Sequence, residues 1–64
     1  MPMKKALNQR EKELQALLAT PAGRIELQDL ESRYRTVSGR LKPSSTSIIT
    51  YILVHEREHG LIGD

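Results

Sequence analysis

A chain of 64 residues without a single cysteine has no covalent staple and has to be held by its own packing or by a partner. At this size folding buries only about 60% of the surface that the unfolded chain exposes. A core of this kind supplies about 3–5 kcal/mol, so every buried aliphatic counts. Phe and Trp are absent, and Tyr34 and Tyr51 are the two tyrosines. The longest apolar stretch, residues 48–54, is too short by more than half for a membrane span. Lys4 and Lys5 are not followed by the apolar region of a secretion signal. The expectation is one small cytoplasmic domain, with no membrane association. Size also argues against an enzyme, because little chain is left to close a pocket around a substrate. No nucleophile–base pair, phosphate-cradling glycine loop or dinucleotide fingerprint is present. Gly23, Gly39, Gly60 and Gly63 all fall at breaks or helix starts. No cofactor and no small-molecule substrate is expected.

The punctuation of the chain predicts three helices, over about residues 4–19, 21–37 and 45–59, and hence an all-α three-helix domain. In the first, Leu7, Leu14, Leu17 and Leu18 recur at helical spacing. Thr20-Pro21 is a break and a restart, with Thr20 as N-cap and Pro21 at the first helical position. Leu27, Leu30, Tyr34 and Val37 form the stripe of the second helix, with Ile25 on its flank. Ser38-Gly39 stops it. The third segment is rich in β-branched residues, which also suit a strand. A serine cap at Ser44 or Ser45, the Glu-Arg-Glu continuation and Gly60 favour a helix. Leu61 and Ile62 are expected to fold back on the core. The expected core is Leu14, Leu17, Leu18, Leu27, Leu30, Tyr34, Ile48, Ile52 and Leu53.

Charge is segregated although the net charge is only +2. Residues 1–12 carry four cations against Glu11, and residues 13–32 carry four acids against Arg24. Residues 33–42 carry Arg33, Arg35, Arg40 and Lys42 with no acid. Such a block gains from counterion release on phosphate, or it is a solvated surface.

Ser45-Thr46-Ser47-Ile48-Ile49-Thr50-Tyr51-Ile52-Leu53, followed by Glu56-Arg57-Glu58-His59-Gly60-Leu61-Ile62, resembles the recognition helix of the winged-helix family. The likeness spans about residues 44–62 and implies a tri-helical DNA-binding relative without a wing. Glu56 stands where that family usually has a buried aliphatic. The resemblance implies that Thr46, Ser47, Thr50 and Arg57 face nucleic acid, with Ile48, Ile49, Ile52 and Leu53 facing the core. Arg40 and Lys42 in the preceding loop would hold phosphates, which set register rather than sequence. This face has no Asn or Gln to read a base edge.

His55-Glu56-Arg57-Glu58-His59 is formally an HExxH sequence. On a helix the two imidazoles share a face and could hold one zinc, with the glutamate polarising its water. Charged residues between the histidines and the lack of a third ligand argue against a peptidase. His55 and His59 are therefore weak metal candidates only, and the bland expectation is that both titrate in the ordinary histidine range.

The third segment is apolar nearly all round between Ile48 and Val54. Two neighbouring helices need not cover it, so Tyr51 and Val54 are the candidate patch for a protein partner or a two-fold dimer. The leading functional expectation is a non-catalytic protein-interaction or self-associating module. DNA binding is the alternative.

Overall fold

The structure, a computed structural model, describes residues 5–63. Three helices form it: α1 (Leu7–Leu17), α2 (Pro21–Ser38) and α3 (Ile48–Glu58), each packed on the other two. Two short strands, β1 (Lys5–Ala6) and β2 (Ile62–Gly63), pair in parallel with Lys5 opposite Ile62. The domain is all-α apart from this tie between its two ends. No helix of the described residues is long and apolar enough to cross a membrane.

The breaks lie close to where the sequence puts them. The Thr20 side chain accepts from the Gly23 N–H at 3.0 Å, and Pro21 opens α2. Gly39 ends α2 in the left-handed region (φ 70°). At the end of α3 the Leu61 N–H reaches the Glu56 carbonyl (2.8 Å) and the Gly60 N–H reaches that of Arg57 (3.1 Å). This pair of bonds is a Schellman stop, and Gly60 supplies its positive φ of 72°.

Three boundaries differ from expectation. The first helix starts at Leu7, because Lys5 and Ala6 are extended and paired with β2. Lys4 lies outside the described residues. α1 also ends at Leu17, two residues early. The third helix starts at Ile48, capped by Ser47, whose Oγ accepts from the Thr50 N–H at 3.1 Å. Ser44 and Ser45 lie instead in a turn closed by the Thr46 N–H on the Pro43 carbonyl (3.0 Å).

The core consists of Leu14, Leu27, Ile49, Ile52, Leu53 and Ile62, with Leu7, Leu17, Leu30, Tyr34 and Ile48 packed around it. Ile62 folds back as expected, whereas Leu61 stays exposed. Leu18 is not a core residue: α1 stops before it and leaves it exposed. Val37 and Ile25 are also exposed. Ile25 lies about 200° around the helix from Leu27. Val37 sits in the last turn of an 18-residue helix whose two neighbours have 11 residues each, so that turn has little to pack against.

Candidate functional site

Two arrangements stand out on α3, one turned inward and one outward. The inward one is built on Glu56, which is 3% exposed. Arg10 of α1 grips its carboxylate twice, Nε donating to Oε1 and Nη2 to Oε2, both at 2.8 Å. The Tyr34 hydroxyl of α2 donates to Oε2. Each helix thus contributes one group to a single buried polar cluster. Burial alone would raise the Glu56 pKa, but the bonds from Arg10 and Tyr34 outweigh it and hold the carboxyl below its ordinary value. The hydrogen bonds to Glu56, aided by its charge, in turn raise the Arg10 pKa against the opposing effect of burial. Burial, reinforced by the Glu56 carboxylate, pushes the Tyr34 phenol up to about 12. Among the described residues no fully buried side-chain nitrogen or oxygen lacks a hydrogen-bond partner.

This cluster changes the reading of the HExxH sequence. Glu56 is turned into the fold and occupied by Arg10 and Tyr34, so it cannot polarise a water between the histidines. The His55 ring lies on Tyr34, with centroids 4.0 Å apart and planes 11° from parallel. His59 lies on the other face of this run, 4.2 Å from His55 at 26°. Rings in face contact point their nitrogen lone pairs along nearly parallel planes, not at a common point. Among the described residues no group of three or more His, Asp or Glu is placed to hold a metal ion. The expectation of ordinary titration fails for His55. Burial, aided by the charge of His59, lowers its pKa.

The outward arrangement is a cleft of about 500 Å³ between the loop 39–47 and α3. Leu41 and Pro43 line it from the loop, and Thr50, Tyr51, Val54 and Glu58 from the helix. Leu41 is 72% exposed and Val54 49%. The loop is held against the helix by the Tyr51 hydroxyl, which donates to the Arg40 carbonyl at 2.8 Å. Lys42 Nζ donates to the Thr46 carbonyl at 2.7 Å and stiffens the same loop.

The residues singled out from sequence are therefore divided. Arg40, Thr46 and Thr50 line the cleft. Lys42 spends its ammonium on the backbone. Ser47 and Thr50 are exposed but bonded to each other, Ser47 Oγ to Thr50 Oγ1 at 2.8 Å. Arg57 is exposed further along α3. Of the expected interaction patch, Val54 is open. Tyr51 is not: it is 9% exposed, because the loop closes over it. Leu41 is the partner that sequence reasoning missed. It stands alone between Arg40 and Lys42, and no periodicity marks a loop residue.

Comparison of the chain with protein-family models, with curated proteins and with solved structures found no match.

Proposed function

We propose that this domain is a non-catalytic protein-binding module whose docking site is the cleft between the loop 39–47 and α3. The observation that carries the reading is the pairing of exposed Leu41 and Val54 across a preformed, mainly apolar cleft. Aliphatic side chains left in water on two facing walls gain from an apolar side chain inserted between them. Three of the four cations of the basic block have partners within the chain. Arg33 pairs with Asp29 (2.6 Å), Arg40 lies 3.4 Å from Glu58, and Lys42 bonds the backbone.

A second reading keeps α3 as a nucleic-acid-contacting helix. What favours it is the exposure of Ser47, Thr50 and Arg57 on the helix that follows the basic loop.

One set of spectra separates the two. The labelled protein is titrated with short peptides selected by display, then with a mixed-sequence DNA duplex at low and moderate salt. Protein binding expects amide shifts at Leu41, Val54 and His59 with a selected peptide. Nucleic-acid binding expects shifts over residues 40–50 with duplex that survive moderate salt. If no selected peptide shifts the cleft, the first reading is abandoned.

A further inference from the structure

We infer that the occupant of the cleft is a second copy of this chain, docked about a two-fold axis; this rests on the protein-binding reading above. A two-fold interface must be complementary to itself. The cleft meets that condition in charge. Its loop wall carries one cation, Arg40, and its helix wall carries one anion, Glu58. A two-fold operation that sets loop against helix brings Arg40 of each copy to Glu58 of the other. No like charges are opposed in that pairing. A second copy already carries the matching acid and base, whereas a partner of unrelated sequence need not.

The pair is also free to exchange. Within one chain Arg40 Nη1 lies 3.4 Å from Glu58 Oε2, and the side chains are 71% and 47% exposed. A long contact between solvated groups is worth little, so giving it up costs little. Between two copies the same charges flank exposed Leu41 and half-exposed Val54, both of which gain cover.

The charge argument has its own test. An Arg40→Glu variant carries two acids at the cleft rim, and a Glu58→Arg variant carries two bases. In sedimentation equilibrium at moderate salt, the unmodified chain is expected to reach twice its monomer mass as concentration rises. Each variant alone should associate about tenfold more weakly or worse, because like charges then meet across the axis. Their equimolar mixture should recover the dimer, as both cross-pairs become acid–base. Adding Val54→Asp to both variants should abolish that recovery, with far-ultraviolet circular dichroism confirming that each protein keeps its helices.

A chain that stays monomeric at millimolar concentration overturns the proposal. So does a mixture that stays monomeric, or one that pairs equally well with Val54→Asp present. A displayed peptide that shifts Leu41 and Val54 in a strictly monomeric chain overturns the second copy but leaves the protein-binding reading standing. Absence of both dimer and peptide binding removes both.

Discussion

Arg10 and Glu56 lie 46 positions apart in the chain and meet through two parallel hydrogen bonds of 2.8 Å in the middle of the fold. The Glu56 side chain is 4% exposed and that of Arg10 20%. With Tyr34 they fix the relative placement of all three helices, which aliphatic packing alone specifies less sharply. Removing one member strands the other. Glu56→Ala or Arg10→Ala should each cost about 3 kcal/mol, the low end of the range for a broken buried pair because water reaches part of Arg10. The double variant Arg10→Met/Glu56→Leu should recover most of that loss, since apolar replacement of a buried pair is often nearly neutral. Urea unfolding of the three variants checks this. Single variants as stable as the parent would show that the cluster is decorative.

The helices were legible because their breaks are chemical. Thr20-Pro21, Gly39 and Gly60 each do locally what any chain of that composition would do. The inward position of Glu56 was legible in part. The run Ile49, Ile52, Leu53 continues at helical spacing to position 56, so a carboxylate falls on the buried stripe and demands a partner. Nothing local points to Arg10 as that partner, because it reads as an ordinary solvated residue of the first helix. The β1–β2 tie is beyond pattern reading, since strands of two residues have no period. The cleft was half visible. Val54 sits on a helix whose faces can be counted, whereas Leu41 sits in a loop tied to that helix by the long-range bond from the Tyr51 hydroxyl to the Arg40 carbonyl.

Burial of His55 beside His59 is expected to make stability depend on pH. His55 is lowered by burial and by the charge of His59, with Glu56 and Glu58 opposing. The folded domain therefore prefers neutral His55, while the unfolded chain takes up a proton near the ordinary value of about 6.5. The unfolded state binds more protons in that window, so stability rises with pH there. It should be complete above that value and fall as pH drops through it toward the lower folded value. Glu56, also depressed in the fold, adds a second loss below about pH 4.3. His55→Phe keeps a ring on Tyr34 and should flatten the first loss while leaving the second. Thermal unfolding midpoints from neutral to acid pH measure both, and an unchanged first limb in His55→Phe would assign it elsewhere.

Gly23 marks where the end of α1 meets the start of α2. A Cβ at this position would lie 2.0 Å from the Leu17 carbonyl oxygen. That oxygen belongs to the backbone and cannot swing aside, so the helix junction itself has to open. Gly23→Ala should cost about 3 kcal/mol, as severe overpacking does. In a domain of this size that leaves a large unfolded fraction. The neighbouring Ala22 is exposed, and Ala22→Ser should be nearly silent. Helicity of the two variants by circular dichroism decides, and equal helicity would contradict the close approach.

The start of the third helix offers a test between residues of the same type. Ser44, Ser45 and Ser47 all precede an apolar run, and each is chemically able to cap it. Backbone geometry separates them. Ser47 is extended (φ −67°, ψ 153°) and its Oγ takes the Thr50 N–H, whereas Ser44 and Ser45 belong to the turn held by Pro43 and Thr46. Losing a serine cap costs about 1 kcal/mol. Ser47→Ala should show that loss in urea unfolding, and Ser45→Ala should show almost none. Ser47→Asp should retain most of the stability, because a carboxylate caps as well and meets the positive end of the helix dipole. The cap also anchors the loop that forms one wall of the cleft. Ser47→Ala should therefore raise amide exchange at Thr50 and Tyr51, where the first turn frays, before it affects the far end of α3. A loss shared equally by Ser45→Ala and Ser47→Ala would mean that the helix starts in more than one register.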